Sequence, residues 1–191
     1  TQSFAITQAT QSALSITATT NSAAYTGSAY TATPSFATSG GSGNGAVTYA
    51  VSGGTASGCA LSSSAANATL TATSVGNCLI TATKASDTNY LSATTATPLT
   101  FTFTASAQTI TFTGPTSKTY GDLAFTVSPT ASSSLTVALA STTSSVCTVS
   151  SFTVTIVAPG TCTLTADQSG NSSFSASPQV SRSFTVAQAA Q

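Results

Sequence analysis

The chain has 191 residues, of which 41 Thr and 34 Ser carry a small hydroxyl, against three basic and three acidic side chains and a net charge of zero. Lys84, Lys118 and Arg182 are scattered singly, which leaves no electrostatic footprint for nucleic acid. His, Glu, Met and Trp are absent, removing the commonest general base and metal ligand and one of the two acids of paired-carboxylate catalysis, so neither enzyme chemistry nor a cofactor is expected.

Leu, Ile, Val and Phe together make up 35 of 191 positions. So lean a fraction signals disorder when net charge is high, but here the charge is zero and the apolar residues are patterned. A folded protein with a thin core is expected. No apolar run approaches the roughly 18 residues of a membrane span and no basic, apolar leader opens the chain, so membrane insertion is not expected and the sequence reads as a mature or excised piece.

Taken in chain order, the first feature is FAITQATQ from Phe4 to Gln11, which returns as FTFTASAQ at Phe101 to Gln108 and as FTVAQAAQ at Phe184 to Gln191. The repeat divides the chain into a tail, 1–11, matching the end strand of a preceding unit, then one domain over 12–107 and a second over 108–191. Ser3 to Gln8, with Phe4 and Ile6 as its apolar positions, is therefore expected to be unpaired by itself or donated to a neighbouring chain.

Leu14 to Ala18 then alternates apolar and hydroxyl residues, as do Leu70 to Thr73 and Leu79 to Thr83. Tyr25 to Tyr30 matches Tyr120 to Phe125 at a constant offset of 95 residues, and Gly76 to Ala82 matches Gly160 to Ala166 at an offset of 84. The first unit holds the Gly- and Ser-rich runs Ser39 to Gly45 and Gly53 to Gly58, which read as extended loops. In the second unit Thr109 to Thr113, Thr153 to Val157 and Cys162 to Ala166 repeat the alternation. Alternation puts one face in a core and one in water, and Thr, stiff at χ1, suits such a half-exposed pleated surface without adding charge. No stretch carries a helical apolar period with caps. Each unit is thus expected to be an all-β, two-sheet sandwich of about seven strands.

Each unit holds two cysteines, Cys59 with Cys78 and Cys147 with Cys162. Of three connectivities, pairing within each unit is the simplest. A metal site would need His, more Cys or Cys-x-x-Cys spacing, none of which is present. Disulfides imply an oxidising location, namely the periplasm, the cell surface or outside, and of these the cell surface or outside is expected.

The second unit, with Thr109-Ile-Thr-Phe112, Lys118-Thr-Tyr-Gly-Asp122, Ser145-Val-Cys-Thr-Val149, Thr155-Ile-Val157, Gly160-Thr-Cys162 and Phe184-Thr-Val186, resembles the bacterial Ig-like repeats strung in tandem in large secreted and surface proteins. The resemblance covers nearly all of that unit and, more loosely, the first, whose Tyr25 to Tyr30 segment lacks the Tyr-Gly-Asp run. It implies two tandem Ig-like sandwiches acting as spacers in stalks or fibres, partnered by neighbouring repeats or by self-association, with no catalytic residues to carry over.

Several further residues invite a sharper reading. Asp122 in the Tyr-Gly-Asp turn would need many more oxygens than Asp87 and Asp167 can add to bind calcium, so a turn role is expected. Lys118 with an Asn, and an Asp such as nearby Asp122 as the catalytic group, could form an isopeptide bond, but Lys118 has Ala23 as its counterpart in the first unit, so an exposed solubilising charge is expected. Tyr25, Tyr30, Tyr49, Tyr90 and Tyr120 could stack on sugars, although without Trp they suit a core better. Asn67-Ala-Thr69 and Asn171-Ser-Ser173 fit the N-glycosylation pattern. The functional expectation is an extracellular structural module, part of a surface stalk or filament; the alternative is an adhesin segment binding a glycan or host surface through the two Gly-Ser loops, with Tyr49 as the nearest aromatic.

Overall fold

The computed structural model describes residues 2–26 and 28–190. These divide into two compact units, Thr1–Ser106 and Ala107–Gln191. Both are built of strands, and no helix occurs among the described residues.

In the first unit the strands are β1 (Leu14–Ala18), β2 (Ser22–Ala24), β3 (Tyr30–Ala32), β4 (Phe36–Gly40), β5 (Val47–Gly54), β6 (Ala60–Leu61), β7 (Leu70–Ala72), β8 (Gly76–Lys84), β9 (Ala93–Thr94) and β10 (Leu99–Thr104). One sheet runs β2-β10-β8-β5, with β9 on β8. Opposite it lie β1 paired with β4, and β3-β7-β6. β3 and β4 are successive stretches of one path, interrupted at the fully buried Pro34. Proline has no N–H to give a ladder, so pairing stops there and the chain changes partner from β7 to β1.

The second unit repeats this plan with β11 (Ile110–Thr111), β12 (Ser117–Thr119), β13 (Phe125–Thr126), β14 (Thr130–Ala131), β15 (Ala138–Ser141), β16 (Cys147–Ser150), β17 (Thr153–Ile156), β18 (Gly160–Asp167) and β19 (Val180–Ala187). Its sheets are β12-β19-β18-β15, β11-β14 and β13-β17-β16. Every strand except β9 has a counterpart, and Pro129 separates β13 from β14 as Pro34 separates β3 from β4. Two faces closed around one core, with the last strand parallel to an early one and antiparallel to its other neighbour, make each unit an Ig-like β-sandwich.

The cores keep to the period of two. Along β8, Cys78, Ile80 and Ala82 are buried, and along β10 so are Phe101 and Phe103, while the intervening Leu79, Thr81 and Thr102 are half-buried. Cys162, Leu164 and Ala166 on β18 and Phe184 and Val186 on β19 occupy the same places in the second unit. The alternation expected over Leu14 to Ala18 is β1 itself; that over Thr109 to Thr113 shortens to Ile110–Thr111.

The Gly-Ser runs differ from expectation. Ser39 and Gly40 belong to β4, where they pair with Ser15 and Leu14, and Gly53 and Gly54 extend β5 against Leu79 and Cys78 after a register shift at Val51. The loops proper are therefore only 41–46 and 55–59. Small residues suggest loops at both strand ends, but backbone ladders need no side chain, and Gly suits a bulged strand end.

Both disulfides form within their units, Cys59–Cys78 with Cα atoms 5.8 Å apart and Cys147–Cys162 with 5.7 Å. Cys147 opens β16 and Cys59 directly precedes β6, while Cys78 and Cys162 lie on β8 and β18. Each bridge thus fastens one sheet to the other. In the chain-entropy account, loops of 19 and 15 residues contribute about 3 kcal/mol each.

Candidate functional site

The loop 41–46 of the first unit is held from two sides. Asp87, between β8 and β9, accepts hydrogen bonds from the backbone N–H of Asn44 at 2.7 Å, of Asn89 at 2.9 Å and of Tyr90 at 3.0 Å. These donors, Asn89 first, hold its carboxyl below the ordinary value of 3.8. Gly43 sits so close that a Cβ there would meet Asp87 Oδ2 at 1.9 Å, and its φ of 72° is itself a glycine conformation. From the other side Gln11 accepts from Ser42 N at 3.3 Å and donates through Nε2 to the carbonyls of Leu91 at 2.8 Å and Ala85 at 3.2 Å. The loop is pinned, and it presents small side chains.

The second unit uses the same two fixtures. Asn171, the counterpart of Asp87, accepts from Ser173 N at 2.8 Å and Phe174 N at 2.9 Å. Gln108, the counterpart of Gln11, is buried; its Nε2 donates to Ser175 O at 2.7 Å and Gln168 Oε1 at 2.8 Å, and its Oε1 accepts from Ser133. Leu91 and Ser175 are themselves related by the 84-residue offset, so one glutamine ties the start of each unit to one repeated carbonyl. No property of either glutamine taken alone points to this role. Its signal in the sequence is Gln as the last letter of all three junction copies.

The structure gives the other residues singled out by sequence plain positions. Asp122 Oδ2 accepts from Thr119 N at 2.9 Å and closes its own turn. Lys118 Nζ lies 4.5 Å from the centre of the Phe125 ring, a cation–π contact rather than a pairing with Asp122. Tyr30 and Tyr49 are buried, Tyr30 with its ring 4.9 Å from that of Tyr25 and 6.0 Å from Phe103, and Tyr49 stacked on Phe36 at 5.2 Å. Tyr49, expected as the aromatic nearest the loops, is thus a core residue: its position on β5 faces inward and the stacking partner lies across the sandwich. Asn67 is exposed in a turn, and Asn171 is exposed with its side-chain oxygen engaged by the two backbone donors.

Among the described residues there is no cluster of three or more His, Cys, Asp or Glu able to hold a metal, and no helix long and apolar enough to cross a membrane. Open clefts among the described residues include one of about 500 Å³ between β1 and the approach to β10, and one of about 380 Å³ beside β14 and Phe152, both lined by uncharged residues.

The most exposed apolar side chains of the first unit are at its start. Phe4 is 85% and Ile6 88% exposed, and residues 2–8 form no strand. Strand-like contact begins only at Ala9, which pairs with Tyr90 through Ala9 N to Asn89 O at 2.8 Å and Leu91 N to Ala9 O at 2.9 Å.

No family model and no curated protein sequence matches this chain. Among solved structures it is similar to the titin domains z1z2 in complex with telethonin, at 17% identity and a TM-score of 0.45, over 96% of this chain and 100% of that one. It is also similar to the protocadherin GammaB4 extracellular domain, at 17% identity and 0.37, and to Drosophila N-cadherin EC1-3, at 9% identity and 0.31. This chain is covered to 92% and 88% in those two comparisons, and spans 33% of the protocadherin chain and 64% of the N-cadherin chain.

Proposed function

We propose that the chain is a structural segment of an extracellular tandem array, a stalk or filament built from Ig-like units, with no catalytic role. The observation that carries this reading is the repetition itself: apart from β9, strand for strand, glutamine for glutamine and disulfide for disulfide, the second unit reproduces the first. The few charged side chains are not shared between the units, Lys84 and Asp87 standing where the second unit has Gln168 and Asn171, and among the described residues they gather into no cluster able to hold a metal. The bridges support residence in an oxidising compartment. In this reading the repeated junction divides the chain into a tail, 1–11, and units over 12–107 and 108–191. A surface this poor in charge offers little electrostatic opposition to lateral association with neighbouring copies. Asn67 and Asn171 are exposed acceptors for N-linked sugar if the source cell supplies it.

Negative-stain electron microscopy of native material from the source cells tests the proposal. Thin stalks or filaments are expected; isolated globular particles would overturn it.

The adhesin reading rests on the pinned loop 41–46, which is pre-organised but carries no aromatic or charged anchor. Binding of the full chain to a glycan array or host-cell surface, lost on Gly43→Ala, would establish it. Absence of binding would leave the structural role alone.

A further inference from the structure

Strand β10 and strand β19 do the same work. Each is the last of its unit and lies between a parallel neighbour, β2 or β12, and an antiparallel one, β8 or β18. Each points two residues inward, Phe101 and Phe103 at 0% and 1% exposure, Phe184 and Val186 at 3% and 2%. The first of each pair stands opposite a disulfide cysteine, Phe101 opposite Cys78 and Phe184 opposite Cys162. The second stands opposite a glycine with positive φ, Gly76 or Gly160.

Ser3 to Gln8 is a third copy of this strand in sequence, yet it forms no strand here, and its Gln8 side chain donates to the Asp87 carbonyl. Phe4 aligns with Phe101 and Ile6 with Phe103, and here the two are almost fully exposed. Burying each would contribute as any core Phe or Ile does, so the present arrangement leaves that contribution unused. The segment also stands at the right distance from the first strand of the first unit. β10 ends at Thr104 and β11 begins at Ile110, while Thr7, the counterpart of Thr104, precedes β1 at Leu14 by a similar interval. The glutamine at the end of the repeated junction is held alike within each unit, Gln11 on the carbonyl of Leu91 and Gln108 on that of Ser175.

Resting on the tandem-array reading, we propose that Ser3–Gln8 is the last strand of another unit of this fold, lying upstream in the same polypeptide. In that unit Phe4 packs opposite a disulfide cysteine and Ile6 opposite a glycine, on a strand bearing Gly-x-Cys. The two described units do not compete for the segment, because β10 and β19 already fill the corresponding places. The upstream Gly-x-Cys has a predictable position. Cys78 precedes Phe101 by 23 residues and Cys162 precedes Phe184 by 22, so a cysteine belongs 22 or 23 residues before Phe4.

The strand competence of the segment is tested by transplant in the full chain. Thr102→Ala with Phe103→Ile turns residues 101–104 into the Phe-Ala-Ile-Thr of the tail. Slow amide exchange along 101–104 and a single cooperative melt of the first unit are expected to survive, with the melting temperature lowered by less than about 10 °C. The control Phe101→Ser with Phe103→Ser should lose both. A transplant that behaves like the control overturns the proposal while leaving the repeat character of the two units untouched. Sequencing the native polypeptide supplies the second measurement: Gly-x-Cys at the stated distance supports the assignment and its absence overturns it. Sedimentation of the full chain supplies the third. A monomer is expected, and head-to-tail association abolished by Phe4→Asp with Ile6→Asp would move the recipient to another chain and overturn the upstream placement.

Discussion

The two units share every strand pairing except that of β9, yet they differ in how much chain they spend between pairings. β5 runs for eight residues and shifts register at Val51, where β15 runs for four. The β6–β7 connection of the first unit takes 62–69 where the second unit needs 151–152, while loop 41–46 matches 132–137 in length and is held by an aspartate where the second unit has an asparagine. What is retained in both is a small set: two cysteines, a proline that splits one strand path, two inward residues on the last strand and one glutamine. The difference teaches that this fold tolerates insertion wherever only backbone ladders or surface turns are involved, and is held by a few tertiary fastenings.

That comparison can be broken most forcefully at the last strand. Phe101→Ala and Phe184→Ala each remove a buried ring opposite a disulfide cysteine, and each should destabilise its own unit by about 3–5 kcal/mol. Urea unfolding monitored by unit-resolved amide exchange measures it; an effect confined to one of the pair would show that the units are not mechanically equivalent. Next come the bridges. Cys78→Ala and Cys162→Ala, compared with the oxidised parent, should each cost about 3 kcal/mol, nearly alike because the loops differ little in length.

The glutamines sharpen the comparison. Gln108→Ala leaves a repeated carbonyl and the Ser133 hydroxyl short of a partner inside the unit and should cost about 1–3 kcal/mol. Gln11→Ala, at a more exposed site, should cost about 0.5–1.5 kcal/mol. Thermal melts of the two variants rank them, and equal losses would contradict the burial difference.

The smallest effect is one of pH. Asp87 titrates below its ordinary 3.8 in the folded unit because backbone N–H groups stabilise its charged form. A depressed folded value contributes stability that is present above the unfolded value and is lost as pH falls through the folded one. The first unit should therefore loosen at loop 41–46 in acid, while Asn171 gives the second unit no such response. Amide exchange of Asn44 and Tyr90 at neutral and acid pH reads this, and Asp87→Asn should abolish the pH dependence there.

Much of this architecture is legible in the chain. Alternation over Leu14 to Ala18, Leu79 to Thr83 and Cys162 to Ala166 marks strands that form, because a period of two assigns each side chain to a face whatever its neighbours are. Pairing of Cys59 with Cys78 and of Cys147 with Cys162 is the simplest option from spacing, and it holds. The Gly-Ser runs mislead because glycine marks conformational freedom, and freedom serves a bulged strand end as well as a loop. Tyr49 misleads because a lone aromatic beside a loop in sequence can still face inward.

By itself, then, the sequence determined faces, the presence of two repeated units and the all-β class, since these depend on local period and on self-similarity. Only the tertiary structure decided which strands are neighbours, why the path breaks at Pro34 and Pro129, and what Gln11, Gln108 and Asp87 hold. Those are hydrogen-bond partnerships between residues far apart in the chain, and a local pattern cannot choose among the many donors and acceptors that a hydroxyl-rich sequence offers.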